Sequence, residues 1–386
     1  MNNFIFENTT KVYFGQGGVK EYLESLLANY GSNVLLAYGG GSIKRNGVYA
    51  EVTDILHRAG KNVVEFSGIM SNPTYAKVQE GAKLARENHV DLILAVGGGS
   101  VSDCCKVISA QANLNEDIWE MQYTKHTLPT KFIPLGTIVT VFGTGSEMNN
   151  GAVITHEDKK IKGALWGAQA DFAFLDPNYS MSVPFKQVIS GAFDTLSHAM
   201  ETYFGKPDEN NLSDDINEAV MRSTIRNIRV LLTDHNNYAA RSELAWASAM
   251  AENSILKIGK VTDFQCHMLE HQLGAYTNCN HGAGLAVLHP VLYRHICEAN
   301  TARFARFAVN VWGIDPEGKT EVELAHAGVE ALAAFIKEIG LPTTFAELGI
   351  PADTDFAAIA KSTVRTGGCC KELTDDELLE ILNECR

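Results

Sequence analysis

Between Gly191 and Gly284 this chain carries the residue types that hold a divalent cation, in three short runs: Gly191-Ala-Phe-Asp-Thr-Leu-Ser-His198, His267-Met-Leu-Glu-His271 and His281-Gly-Ala-Gly284. A helix over 191–203 would project Asp194 and His198 from one face, because residues four apart lie one turn above each other. A second helix would do the same for His267 and His271. One carboxylate and two or three imidazoles could then meet at a single ion. That oxygen and nitrogen set, with no thiolate, suits Fe(II), Zn(II), Co(II) or Mn(II) better than calcium or magnesium. Twelve histidines in 386 residues produce some spacings of four by chance, so the rest of the chain has to supply a reason for a metal.

The upstream sequence supplies one. Short apolar runs at Val34–Ala37, Asn62–Phe66 and Asp91–Val96 alternate with helical patterns near 19–29, 47–59 and 74–88, which predicts a parallel α/β sheet. Residues 4–14 read as two short β segments before it. Two of the strands run into glycine: Tyr38-Gly-Gly-Gly-Ser42-Ile-Lys44 and Gly97-Gly-Gly-Ser100-Val-Ser-Asp103. In such sheets ligands sit beyond the carboxyl ends of the strands, where glycine lets the backbone approach a pyrophosphate and the next helix presents free N–H groups. The spacing is not G-x-G-x-x-G, yet two runs, each after a strand, favour a phosphate-bearing cofactor. The stretch Pro134–Glu147, rich in hydroxyls and glycine, is expected as a loop along a ribose or nicotinamide.

After about Pro184 strand-like runs give way to amphipathic helices at 214–232, 240–255, 301–311 and 321–338. This predicts an α/β dinucleotide-binding domain over 1–182 and an all-helical metal-binding domain over 183–386, with the active site between them. A net charge of -14 disfavours nucleic acid and anionic membrane surfaces. No apolar run reaches the length of a membrane span, and the N-terminus lacks a secretory signal pattern. Eight cysteines without framework spacing fit reduced thiols in a cytoplasmic protein.

Taken in order, Gly97-Gly-Gly-Ser100 with Asp103 and Lys106, Gly143-Thr-Gly-Ser-Glu147, Asp194 with His198, and His267, His271 and His281-Gly282 resemble the iron-dependent (group III) alcohol dehydrogenase family, in particular its butanol dehydrogenase and aldehyde reductase branch. The resemblance covers nearly the whole chain. It implies a Rossmann-like α/β domain followed by an all-α domain, the dehydroquinate synthase-like architecture, usually as a homodimer. It implies Asp194, His198, His267 and His281 as ligands of one divalent metal, Fe(II) before Zn(II) or Co(II), with His271 nearby, where that ring or solvent reached through the cofactor ribose could carry the proton, and Asp103 serving both catalysis and cofactor binding. The cofactor residues it implies are Gly39, Gly40, Gly41, Ser42, Lys44, Asn72, Gly97, Gly98, Gly99, Ser100, Asp103, Thr137, Thr140, Phe142, Thr144, Ser146 and Lys162.

NAD-using members of the family resemble one another in an Asp after the second strand. Here no carboxylate stands between Tyr38 and Lys44, and Ser42 and Lys44 could take a 2′-phosphate, so NADP(H) is expected over NAD(H). The implied substrate is a short- to medium-chain primary alcohol or aldehyde such as butanol or butanal. Two departures from the family pattern stand out: Val139-Thr-Val-Phe142 replaces a usual Pro-Thr-Thr, placing a bulky Phe142 beside the nicotinamide, and Cys104-Cys105 replaces an aliphatic pair. Within the same architecture a glycerol dehydrogenase-like polyol oxidoreductase is the alternative. A dehydroquinate synthase-like lyase would call for an Arg and Lys cluster that is sparse here. A metallohydrolase could use the same ligands but has no need of the glycine platform.

Overall fold

The apolar runs that end in glycine form the middle of a parallel sheet in the computed structural model, which describes residues 1–386. The strands are β1 (Lys11–Phe14), β2 (Asn33–Tyr38), β3 (Asn62–Phe66), β4 (Leu92–Gly97), β5 (Leu135–Val139), β6 (Gly151–His156), β7 (Ile161–Trp166) and β8 (Phe172–Leu175). Six of them form one sheet in the order β1-β8-β5-β4-β2-β3, with every pairing parallel. The period of two along β2 explains the layers. Val34, Leu36 and Tyr38 join a core with helices α1 (Gly18–Leu27), α2 (Ser42–Arg45) and α3 (Val48–Arg58). Leu35 and Ala37 join the opposite core with α4 (Tyr75–Glu87) and α5 (Gly99–Gln111). Each fully buried Leu or Val in these strands contributes roughly 1.5–3 kcal/mol of transfer free energy.

Strand β2 has β3 on one side and β4 on the other, so the chain reverses its direction of travel across the sheet between them. The crevice at the carboxyl ends of β2 and β4 is therefore a topological switch point. The runs Gly39–Gly41 and Gly97–Gly99 both lie on its rim.

Three segments differ from the sequence expectation. The stretch 134–147 is not all loop, since Leu135–Val139 is the interior strand β5. Thr137 pairs with Ala95 and Ala173 and is wholly buried, so it is a sheet residue rather than part of a cofactor loop; its hydroxyl disguised a core strand. Of residues 4–14 only β1 is a strand. The antiparallel hairpin β6–β7 was not anticipated, and it places Lys162 on β7 with its side chain buried.

By their contacts Glu7–Pro184 form one compact unit, and Phe185–Arg386 with Met1–Phe6 form another. The second unit is helical: α6 (Phe185–Tyr203), α7 (Leu212–Thr233), α8 (Tyr238–Glu252), α9 (Gln265–Thr277), α10 (His281–Ile296), α11 (Thr301–Asn310), α12 (Glu321–Glu338), α13 (Phe345–Leu348), α14 (Phe356–Ser362) and α15 (Asp375–Glu384). Capping boxes at Asn211, Thr320 and Thr374 start α7, α12 and α15, each satisfying backbone N–H groups that a helix start leaves open. One continuous apolar core runs through these helices. No helix is long and apolar enough to cross a membrane.

Candidate metal centre

Three helices of the second unit supply the site. Helix α6 carries Asp194 and His198 one turn apart, both buried. Helix α9 carries His267, Glu270 and His271 on adjoining positions of one face, also buried. A short turn from Asn278, in the left-handed conformation, to the N-cap Asn280 makes His281 the first residue of α10. Gly282 then decides where α10 can lie: a Cβ there would fall 2.2 Å from the Ser190 carbonyl oxygen. Only glycine lets the start of α10 meet the backbone of α6 that closely, and the contact sets His281 opposite Asp194.

The donor atoms converge on Asp194 Oδ1. His281 Nε2 lies 3.4 Å from it, His267 Nε2 3.6 Å and His198 Nδ1 3.6 Å. The donors of Asp194, His267 and His281 all lie within 4.8 Å of one another. Bonds of about 2.0–2.2 Å around a tetrahedral ion place neighbouring ligand atoms roughly 3.3–3.6 Å apart, so these gaps match ligands around an ion and exceed hydrogen-bond length. Asp194 Oδ1, His198 Nδ1 and His267 Nε2 are buried and have no hydrogen-bond partner. Buried polar atoms are normally paired. Asp194 Oδ1 and His267 Nε2, with His281 Nε2 beside them, fit a divalent cation; His198 Nδ1 is orphaned too and lies near Asp194, but outside that compact group.

Carboxylates aim the rings. Glu201 bonds His267 Nδ1 and Glu270 bonds His281 Nδ1, which leaves Nε2 of each ring facing Asp194. Glu201 also accepts from the Cys266 backbone N–H at 2.7 Å. His198 stacks on His267 with ring centroids 4.5 Å apart, and Phe264 covers both rings at 6.0 and 4.9 Å. Phe264 holds a φ of 55°, a strained conformation for an aromatic residue, directly before α9.

The electrostatics ask for positive charge. Burial alone would raise the Asp194 carboxyl, yet the imidazoles of His198, His281 and His267 hold it down to about 2. Burial would lower His267, but Glu201 and Asp194 outweigh it and lift the imidazole to about 10. Without a metal this site keeps a proton in its place, and a cation that binds must displace that proton. Burial lowers His198 against the pull of Asp194, which favours the neutral, metal-binding form of that ring.

In the first unit, Gly99 opens α5 and a Cβ on it would lie 2.1 Å from Thr144 Oγ1. The glycine run thus lets the 140–145 loop close over the start of the helix. Gly99→Ala is expected to cost about 1–3 kcal/mol through overpacking, measurable by denaturant unfolding; an unchanged midpoint would contradict this packing role. Asp103 accepts hydrogen bonds from Ser146 Oγ at 2.5 Å and from the Val153 backbone at 2.9 Å, and lies 3.8 Å from Lys106 Nζ. Those bonds hold the 144–146 loop to the strand after it. Ser100 Oγ bonds the carbonyl of Ser71, which ties the Ser71–Pro73 turn and Asn72 to the same rim. Thr140 is buried, and Phe142 and Thr144 are partly exposed.

Residues 9–177 match the family described as iron-containing alcohol dehydrogenase, and residues 188–385 match the C-terminal portion of the same family. This chain belongs to the iron-containing alcohol dehydrogenase family. It is 39% identical to the probable NADH-dependent butanol dehydrogenase 2 of Bacillus subtilis over 99% of both chains. It is 35% identical to the NADPH-dependent aldehyde reductase YqhD of Escherichia coli over 94% of this chain and 93% of that one. The fold is similar to that of NADH-dependent butanol dehydrogenase A from Thermotoga maritima, with a TM-score of 0.92 and 34% identity over 100% of this chain and 99% of that one. As an iron-containing alcohol dehydrogenase it is an NAD(P)-dependent oxidoreductase of alcohols and aldehydes that uses a divalent metal.

For this alcohol dehydrogenase, reasoning from sequence missed Glu201 and Glu270. Glu201 stands seven residues after Asp194, two turns along the same face of α6, and Glu270 lies inside the His267–His271 run. Their spacing was a usable signal. A glutamate on a helix is ordinarily solvated, but both of these are fully buried.

Proposed function

We propose that this enzyme interconverts short- to medium-chain primary alcohols and aldehydes, such as butanol and butanal, with NADP(H) preferred over NAD(H). The observation that supports a metal-dependent reaction is the convergence of the orphaned atoms of Asp194 and His267 with His281, with the orphaned His198 Nδ1 next to Asp194. In this reading Asp194, His198, His267 and His281 would hold the ion, Fe(II) first among the candidates. When bound, a divalent cation supplies Lewis acidity toward an alcohol or carbonyl oxygen. The chain's own groups do the rest. Glu201 and Glu270 fix the rings, Phe264 excludes water from one side of them, and His271, with its ring 5.5 Å from that of His281, holds or passes the proton at an imidazole nitrogen. Gly97–Ser100 and the 140–146 loop bind the cofactor's phosphates and ribose, with Asp103 holding that loop in place.

NADH-dependent and NADPH-dependent enzymes both occur among the relatives; in this reading the residues at the end of β2 carry the preference. Ser42 starts α2, and Lys44 lies in the same short helix. With butanal as substrate, kcat/KM is expected to be higher for NADPH than for NADH, read from the oxidation of each cofactor. Equal efficiencies would sink the NADP(H) reading while leaving the metal site untouched. A cytoplasmic homodimer completes the proposal; the adjacent exposed side chains of Phe4, Ile5 and Phe6 support a partner surface there.

A further inference from the structure

No acid lies between Tyr38 and Lys44 in the sequence, but the sheet brings one from the neighbouring strand. Glu65 on β3 is paired in register with Leu36 on β2. Its carboxylate accepts a hydrogen bond from the Tyr38 hydroxyl at Oε2 and from the Tyr49 hydroxyl at Oε1, each 2.5 Å long. Lys44 Nζ lies 3.5 Å from the same Oε2. It also sits 5.1 Å from the centre of the Tyr38 ring and 4.4 Å from that of Tyr49. The two rings pack edge to face at 5.7 Å. With both oxygens held by tyrosines, the carboxylate cannot swing away from the lysine.

The cluster is built, yet open. The Lys44 and Glu65 side chains remain 46% and 44% exposed, beside the Gly39–Gly41 run at the rim of the switch point. The hydrogen bonds from Tyr38 and Tyr49 hold the Glu65 carboxyl below its ordinary range, so it is an anion wherever the enzyme works near neutrality. One positive and one negative side chain therefore face the place where the adenosine ribose is expected.

We propose that Glu65 is a specificity-determining residue for the cofactor: fixed by Tyr38 and Tyr49 against Lys44, it offsets that lysine's attraction for a 2′-phosphate and offers an acceptor to an unphosphorylated ribose diol. The inference rests on the reading of Ser42 and Lys44 as the 2′-phosphate groups. It makes the preference for NADP(H) a moderate one, because the lysine that favours the phosphate is held beside a carboxylate that repels it. A carboxylate a few ångströms from a phosphate across solvent changes affinity by roughly fivefold to tenfold.

The test compares NADPH and NADH with one aldehyde on the metal-loaded enzyme, using wild type, Glu65→Gln, Lys44→Ala and the double variant. Glu65→Gln is expected to raise the NADPH-to-NADH ratio of kcat/KM about fivefold to tenfold, through KM and with little change in kcat. In the Lys44→Ala background most of that gain is expected to vanish. A purely structural Glu65 would alter the melting temperature or both cofactors alike and leave the ratio where it was. An unchanged ratio in Glu65→Gln, with NADPH efficiency lowered by Lys44→Ala, overturns the role of Glu65 and spares that of Lys44. No effect of Lys44→Ala on either cofactor overturns both. If Glu65→Gln folds poorly, Tyr49→Phe, which frees one carboxylate oxygen, is expected to shift the relative affinities for 2′,5′-ADP and 5′-AMP measured by calorimetry; unchanged relative affinities overturn the proposal.

Discussion

Asp194→Asn is expected to yield a folded protein that binds no metal at micromolar concentrations and shows no measurable turnover. The substitution is isosteric, but it removes the one anionic donor on which His198, His267 and His281 converge. Losing a charged ligand is expected to weaken binding by more than the 10–100-fold typical of outer-shell partners. His267→Ala is expected to lose metal and turnover as well, with an added cost to the fold. It strips Glu201, a carboxylate with no solvent exposure, of its imidazole partner, and a buried charge left unpaired costs about 3–5 kcal/mol. Metal analysis of each purified variant, beside its unfolding curve, separates the two effects. Wild-type metal content in Asp194→Asn would remove Asp194 from the ligand set.

Glu201→Gln and Glu270→Gln should keep the fold and weaken the metal. A glutamine oxygen can still accept from the Nδ1 proton of His267 or His281, but the negative charge that makes each ring a better ligand is gone. At position 201 the second oxygen becomes an amide donor, while the Cys266 N–H also needs an acceptor there. An expected loss of about 10–100-fold in metal affinity for each variant can be read by competition with a chromophoric chelator. Activity should return at saturating metal, which a damaged fold would not allow. Unchanged affinity in both would mean that the two glutamates only pack beneath the site.

The parallel sheet and the helical second unit were legible because their periods are strong. Val34–Ala37 and Leu92–Val96 are apolar on both faces, as a strand covered by helices must be, and α12 follows its sequence pattern over Glu321–Glu338. The spacing offers one carboxylate and two or three imidazoles; the choice of Asp194, His198, His267 and His281 among them comes from the family resemblance. The hidden features share a cause: they depend on what another element does. Thr137 reads as polar until β4 and β8 flank it. Gly282 reads as a turn residue until α6 passes within contact of it. Glu201, Glu270 and Glu65 carry no sequence signal of what they meet, and only the packing of α9, α10, β2 and α3 beside them gives their carboxylates imidazole or tyrosine partners. Lys162 sits in a hairpin whose alternation is weak, with the pattern broken at Ile154 and Thr155, which are both buried.

The most direct measurement is a metal titration of the stripped enzyme. Protein purified without oxygen, freed of metal with a chelator and titrated with Fe(II), Zn(II) or Co(II), is expected to regain aldehyde reduction in proportion to metal bound, with an endpoint of one ion per chain and the highest rate for Fe(II). Full activity in the stripped protein, or binding of one ion to wild type and Asp194→Asn alike, would contradict the assignment of Asp194, His198, His267 and His281 as the catalytic metal centre.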